Sequence, residues 1–246
     1  MCKACELGDA AHSTSPSRRR FLAFCSATAA SFPFAIAALA KDIEAPPKPQ
    51  NVVSPDGALD LLHKGNDRYA EGVSKRHDFT HEREALVSGQ NPYAGILSCA
   101  DSRIAPEYAF DSGRGDLFVC RIAGNFANED TIASFEYAVA NLGTPLIMVL
   151  GHDACGAVGA TLQSLKDNST LPGHLPSLVA SLASAAKAGA ELPGDPLANA
   201  IRQNVVNTVA ALKSATPILD AALAQRKLKI VGGIYRLASG RVEMVA

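Results

Sequence analysis

The sequence lacks an excess of either charge, because 23 basic and 24 acidic residues leave a formal net charge of −1. Without a basic excess it has no electrostatic footprint for nucleic acid, and without an acidic excess it has no solvating tail. Cysteine is also scarce, with six in 246 residues, so the chain is not a disulfide-stapled mini-protein. Hydrophobic residues make up 48% of the chain, which excludes a disordered or collagen-like protein because this much apolar material can form a core.

The amino terminus is predicted to be an export signal. Residues 17–22 are Ser-Arg-Arg-Arg-Phe-Leu, and a weakly apolar, alanine-rich stretch follows up to residue 40. This layout is typical of secretory signals, and the paired arginines resemble the twin-arginine class. We therefore expect residues 1–40 to be a signal peptide that is cleaved after Ala40, leaving a periplasmic protein with no stable membrane association. An uncleaved anchor is the alternative, which Pro33 disfavours.

Cleavage at that position would leave three cysteines, Cys99, Cys120 and Cys155. An odd number of cysteines in an oxidising compartment argues against a simple disulfide framework and favours another use of thiolates. The proline-rich residues 41–54 are expected to form an extended arm. Residues 55–246 are expected to form one domain.

Hydrophobic patterning in this domain predicts an α/β fold. Ser54-Pro55 is a helix start, and three short apolar runs are separated by helical stretches, which favours a parallel sheet covered on both faces. The predicted fold is a mainly parallel sheet of four to five strands flanked by helices, with an antiparallel edge strand at the end. The predicted strands are 93–98, 117–122, 146–150, 228–235 and 241–245, and the predicted helices are 55–72, 82–87, 106–110, 128–142, 155–165, 177–188, 197–214 and 217–225.

Candidate metal ligands follow two of these strands. Cys99 comes directly after the first strand, and His152 and Cys155 come after the third. Ligands collect at the carboxyl ends of strands in an open α/β sheet, so these side chains are expected to meet at one edge. Two thiolates and an imidazole suit zinc, and three protein ligands leave a position for water. Zinc lowers the pKa of such a water from about 16 to about 7.

Asp101 and Arg103 are expected to complete the site. The Asp101 carboxylate would either take the fourth position on the metal or accept a hydrogen bond from the bound water, and Arg103 can hold it off the metal through a bidentate pair.

Taken singly, a cysteine at a strand end is usually a small hydrophobic residue, and Cys120 is interpreted as core. A purely structural zinc site would normally use a fourth cysteine or histidine.

The sequence resembles the β-class carbonic anhydrases in the pair Cys99-x-Asp101-x-Arg103 and His152-x-x-Cys155-Gly156. The resemblance extends through the segments 115–119, 121–125, 136–139 and 232–235, and covers roughly residues 55–245. It implies that residues 55–246 form a β-carbonic anhydrase-like catalytic domain and that the protein is a zinc-dependent lyase. It also implies reversible hydration of carbon dioxide to bicarbonate and a proton by zinc-bound hydroxide, in a homodimer or higher homo-oligomer with the cleft between subunits.

Site residues follow from the resemblance, position by position. It implies a zinc ion on Cys99, His152 and Cys155, a catalytic Asp101–Arg103 dyad with Asp101 on the metal only in a closed state, and a set of substrate-binding residues. In that set, Gln90 would form a hydrogen bond with bicarbonate. Phe118 and Tyr137 would line the cleft, partly from the partner subunit, and Gly156 completes the set.

Two positions depart from the family pattern. Ile122 stands where the family usually has asparagine, and Ile96 stands where a bacterial branch has the tryptophan of a second bicarbonate site. Because the chain contains no tryptophan, we expect no such site and an open, water-bound zinc at neutral pH. Two alternatives stay open: hydrolysis of carbon disulfide or carbonyl sulfide on the same scaffold, and a non-catalytic exported zinc-binding protein. His77 and His81 are candidate proton acceptors.

Overall fold

A computed structural model describes residues 52–246, so the predicted signal peptide and nearly all of the predicted arm lie outside the described residues. Strands and helices alternate through most of this range. The strands are β1 (Ala94–Ser98), β2 (Leu117–Arg121), β3 (Leu146–His152), β4 (Lys229–Tyr235) and β5 (Val242–Met244). The helices are α1 (Pro55–Ala70), α2 (Phe79–Ala85), α3 (Pro106–Ala109), α4 (Glu129–Leu142), α5 (Gly156–Asp167), α6 (Leu175–Ala190), α7 (Pro196–Lys213) and α8 (Leu219–Ala224).

The five strands form one sheet in the order β2-β1-β3-β4-β5. The first four are parallel, and β5 pairs antiparallel with β4. The predicted α/β fold with a mainly parallel sheet is therefore confirmed. Because β1 and β3 are neighbours, their carboxyl ends lie side by side, as the metal-site prediction requires.

Local side-chain chemistry explains where several helices begin. The Ser54 side chain accepts a hydrogen bond from the Gly57 amide at 3.1 Å, which caps α1. Asn128 and Thr131 form a reciprocal capping box at the start of α4. Asp78 caps α2, so this helix begins at Phe79, three residues before the predicted start.

The third strand is longer than predicted. It continues past Leu150 because Gly151 and His152 pair with Ile234 and Tyr235 of β4. His152 is therefore held by the sheet itself, and Cys155 is the residue immediately before α5. The strand-to-helix turn between the two candidate ligands is consequently only two residues long.

Two glycines allow α7 to approach the sheet closely. Val205 of α7 is fully buried, and its two methyl groups lie over Gly151 of β3 and Gly232 of β4. A Cβ atom built on Gly151 would lie 2.7 Å from Val205 Cγ2, and one on Gly232 would lie 2.5 Å from Val205 Cγ1. This packing sets the distance between α7 and the strand that ends at His152.

Within residues 52–246, none of the helices combines the length and the apolar character needed to cross a membrane.

Candidate metal centre

Three candidate ligands converge at the carboxyl edge of the sheet. Cys99 directly follows β1, His152 ends β3, and Cys155 precedes α5. Their exposed fractions are 4%, 0% and 1%, and their ligand atoms all lie within 4.8 Å of one another. The two sulfur atoms are 4.0 Å apart, close to the roughly 3.8 Å that two 2.3 Å zinc–sulfur bonds span at a tetrahedral angle. The residues therefore fit a zinc ion.

The His152 ring is oriented for this role. Its Nδ1 atom donates a hydrogen bond to the carbonyl oxygen of Asp153 at 2.8 Å. Its Nε2 atom is buried and has no hydrogen-bond partner among the residues that the structure describes. An unsatisfied buried nitrogen is costly unless a ligand takes it, so this atom is the clearest sign that the pocket is built for a metal ion.

The two thiols share one negative charge more easily than they carry two. Hydrogen bonds from the Cys155 thiol and the Gly124 amide outweigh burial and lower the pKa of Cys99 to about 4. The same contact with Cys99, together with burial, raises the pKa of Cys155. A second thiolate in this buried pocket needs a cation beside it, which is the chemistry of a site for a divalent ion.

Neighbouring backbone groups hold Cys99 in place. The Gly124 amide donates to Cys99 Sγ at 3.3 Å, and the buried Asn204 of α7 donates to the Gly124 carbonyl at 2.7 Å. Arg121, at the end of β2, donates to the carbonyl oxygens of Cys99 and Asp101 at 3.0 and 2.7 Å. None of these contacts is predicted by the sequence. The charged Arg121 at a strand end was the one available signal.

Asp101 and Arg103 form the predicted pair. The Arg103 Nε and backbone amide both donate to Asp101 Oδ1 at 2.9 Å, and its Nη2 donates to Oδ2 at 2.7 Å. The guanidinium beside it holds the pKa of the Asp101 carboxyl well below its usual range. Asp101 Oδ2 lies 3.8 Å from His152 Nε2, so an ionised carboxylate borders the candidate metal position.

This arrangement has close counterparts among known proteins. A sequence model of the carbonic anhydrase family matches residues 94–242. The chain belongs to the β-carbonic anhydrase family. A protein named carbonic anhydrase 2 from Mycobacterium tuberculosis is 37% identical over 76% of this chain and 91% of its own length. A carbonic anhydrase from Mycolicibacterium smegmatis is 38% identical over 78% of this chain and 93% of its own.

Solved structures of β-carbonic anhydrases share the fold. One of two tetrameric enzymes from Sordaria macrospora superposes with a TM-score of 0.62 at 25% identity, covering 77% of this chain and 98% of its own. The Coccomyxa enzyme, solved with acetazolamide, gives 0.59 at 26% identity, covering 78% and 86%. The protein is therefore a carbonic anhydrase with zinc as its cofactor.

The substrate-binding residues expected from the family likeness fall into two groups. Gly156 is the first residue of α5, directly after Cys155, and is exposed beside the metal ligands. Gln90 is exposed before β1, and Phe118 pairs with Gly95, four residues before Cys99. The ring centroids of Phe118 and Tyr137 are 6.5 Å apart, and Tyr137 is 50% exposed. Within one chain, these three residues do not lie beside the ligands.

The candidate proton acceptors are paired with carboxylates elsewhere. His77 Nδ1 lies 2.9 Å from Glu82 Oε1, and its ring faces Gly113 in the loop before β2. His81 is exposed and lies 2.6 Å from Asp78, whose hydrogen bond raises the pKa of His81. Since β2 begins at Leu117 and the metal ligands follow the carboxyl ends of β1 and β3, His77 lies towards the opposite edge of the sheet.

Proposed function

We propose that this protein hydrates carbon dioxide reversibly to bicarbonate and a proton at the Cys99–His152–Cys155 zinc site. The observation that carries the proposal is the combination of three buried ligands with an ionised carboxylate, Asp101, at their border. A closed structural site has no use for such a group. Membership of the carbonic anhydrase family supports the same reaction.

Cys99, His152 and Cys155 would hold the zinc ion, leaving the side towards Asp101 open. When bound there, zinc lowers the pKa of a coordinated water molecule to about 7 and so supplies hydroxide at neutral pH. The ligands themselves are rigid, because His152 belongs to β3 and Cys155 begins a helix. A rigid set of ligands keeps the open position aligned without reorganisation during turnover.

Asp101 orients the nucleophile in this proposal. Arg103 occupies Oδ1 with two hydrogen bonds and Oδ2 with one, which keeps the carboxylate turned away from direct ligation. Oδ2 lies 3.8 Å from His152 Nε2 and would accept a hydrogen bond from the oxygen that attacks carbon dioxide. That bond would turn a lone pair of this oxygen towards the carbon of carbon dioxide. Gly156 borders the same space.

Gln90, Phe118 and Tyr137 would act from the partner subunit of a homodimer or higher homo-oligomer. Their distance from the ligands of their own chain supports this arrangement. The apolar rings suit an apolar gas, and one amide suits its anionic product.

Mixed subunits test the sharing of residues. Subunits carrying Cys155→Ser are combined with subunits carrying Phe118→Ala and Tyr137→Ala. Random pairing of equal amounts makes half of the dimers mixed. If the aromatic residues act across the interface, each mixed dimer has one complete site out of two, and about a quarter of wild-type activity returns. No recovery would show that they act within their own chain.

We also propose export by the twin-arginine route, with cleavage after Ala40, the arm at 41–54 and the catalytic domain at 55–246. The supporting features are the paired arginines and the weakly apolar stretch that follows them. Mass spectrometry of the periplasmic fraction tests this, since a mature amino terminus at Lys41 is expected. Replacing Arg18 and Arg19 with lysine should leave the precursor in the cytoplasm, and unchanged export would refute the route.

The decisive experiment combines metal analysis with stopped-flow hydration of carbon dioxide. The wild type is expected to contain one zinc per chain and to be active. Asp101→Ala is expected to retain zinc and lose activity by about a hundredfold or more. Full activity of this variant would show that the carboxylate has no role in the reaction. If the wild type turned over carbon disulfide or carbonyl sulfide faster than carbon dioxide, that compound would be the substrate instead. Zinc without any of these activities would favour the non-catalytic alternative.

A further inference from the structure

The turn between two metal ligands is held in place by two arginines. Only Asp153 and Ala154 separate His152 from Cys155, and Ala154 has a φ of +51°. This left-handed conformation is unfavourable for a residue with a Cβ atom, so contacts from outside must maintain it. Arg103 donates from Nη2 to the Ala154 carbonyl at 3.2 Å, which accounts for one half of the turn.

Asp153 forms the other half and is bound at three points. Its Oδ1 accepts a hydrogen bond from Arg236 Nη1 at 2.6 Å, and its Oδ2 accepts one from the Leu237 amide at 3.3 Å. Its own amide donates to the Tyr235 carbonyl at 3.2 Å. The segment that follows β4 therefore fixes both the side chain and the backbone of Asp153.

Arg236 is itself held by the terminal hairpin. Its Nη2 donates to Glu243 Oε2 of β5 at 2.6 Å, and its amide donates to the Arg241 carbonyl at 2.8 Å. The planar guanidinium thus bridges two carboxylates, one on β5 and one beside the metal ligand. A lysine offers a single point charge and cannot reproduce this fork.

The carbonyl oxygen of Asp153 orients the His152 ring. It accepts the hydrogen bond from Nδ1 at 2.8 Å, and a carbonyl oxygen can only accept. The proton of the neutral ring must therefore lie on Nδ1, which leaves the lone pair on the buried Nε2 atom. Partners of this kind fix the tautomer of metal-binding histidines.

We propose that Arg236 is a positioning residue for the zinc site, acting through Asp153 on the tautomer and orientation of His152. Without Arg236, Asp153 keeps its two weaker backbone contacts, and the carbonyl that accepts the hydrogen bond from Nδ1 moves more freely. The imidazole then binds zinc less well, and the metal leaves faster. This inference rests on the proposed function, because it requires zinc at the site.

The test compares Arg236→Met with the control Arg241→Met. Arg241 lies on the same hairpin and pairs with Asp67 at 3.1 Å, with its side chain half-exposed. The measurements are the rate of zinc release into excess chelator at fixed pH, the zinc dissociation constant and the visible spectrum of the cobalt-substituted protein. We expect about tenfold faster release and weaker binding for Arg236→Met, with a shifted cobalt spectrum. Arg241→Met should stay within twofold of wild type.

A conservative variant covers the case in which Arg236→Met does not fold. Arg236→Lys keeps the charge and should release zinc at a rate between wild type and Arg236→Met, because one ammonium cannot serve both carboxylates. Wild-type release in Arg236→Met, or in Arg236→Lys if only that variant folds, overturns this inference alone. Equal acceleration by Arg241→Met also overturns it. A wild-type protein that takes up no zinc overturns the proposed function as well.

Discussion

The contact between Gly151 and Val205 offers a direct test of how the sheet positions His152. Gly151→Ala would place a Cβ atom 2.7 Å from Val205 Cγ2, whereas carbon atoms in good contact lie about 3.5–4.0 Å apart. Val205 cannot rotate away easily, because valine in a helix has one strongly preferred side-chain rotamer. The helix or the strand must therefore shift, and the strand continues directly into His152.

The structure gives magnitudes for a double-mutant cycle. Overpacking of this kind costs about 1–3 kcal/mol in the free energy of unfolding. Val205→Ala alone deletes two fully buried methyl groups and should cost about 2 kcal/mol. In the double variant the methyl group added to Gly151 enters the space that Val205 vacates. We expect the double variant to lose about 2 kcal/mol of unfolding free energy, rather than the roughly 4 kcal/mol that the sum of the two single variants gives.

Urea unfolding at a fixed free zinc concentration measures these energies, and zinc release measures the effect on His152. Gly151→Ala should release zinc faster than wild type, and Val205→Ala should restore slow release. Gly159→Ala is the control, since its Cβ would lie 3.8 Å from Leu197 Cδ1 and a helical alanine is favoured over glycine by about 1 kcal/mol. Additive energies in the double variant would refute the proposed packing constraint.

Three further predictions concern a buried charge, the metal and the support of Cys99. Burial alone would raise the pKa of Asp111, but hydrogen bonds from Arg68 and the Lys75 amide outweigh it and lower the pKa. Asp111→Asn, which tolerates the φ of +43°, should cost about 2 kcal/mol at pH 7. In urea unfolding, the loss of unfolding free energy relative to wild type should shrink only as pH falls below the unfolded pKa of about 4, towards the lower folded pKa. If this loss disappeared between pH 6 and 8, the prediction would be wrong. Free zinc at a hundred times its dissociation constant should stabilise the wild type by about 2.7 kcal/mol, and Cys155→Ser should abolish this zinc-dependent shift in thermal melts. Asn204→Leu leaves the buried Gly124 carbonyl without its donor and should cost about 1–3 kcal/mol in urea unfolding; an unchanged midpoint would argue against the contact.

Most of the fold could be predicted because its signals are local. Ser54 before Pro55 and Asn128 before α4 are capping residues that lie next to the helices they begin. The apolar runs of β1, β2 and β3 are bounded by turn residues, so their positions were correct within a few residues. The end of β3 was missed, because the pairing of Gly151 and His152 with β4 depends on a strand 83 residues further along the chain.

The ligands could be predicted, but their support could not. Cys99, His152 and Cys155 carry the residue types that zinc prefers, and they follow strands whose carboxyl ends meet. Asn204 and Arg236 have no such signature, because a buried amide or a half-exposed arginine serves many purposes in a protein. Only their partners, the Gly124 carbonyl and the Asp153 carboxylate, reveal what they do.

The sequence by itself determined the order of helices and strands, the donor atoms available to a metal and the Asp101–Arg103 pair, because each of these depends on residues close together in the chain. Tertiary structure decided which hydrogen bonds aim those donor atoms, and it separated Gln90, Phe118 and Tyr137 from the ligands of their own chain. A hydrogen bond forms only when donor and acceptor lie within about 3.5 Å of each other. Distances on that scale between residues far apart in sequence are set by sheet register and helix packing, which periodicity does not specify.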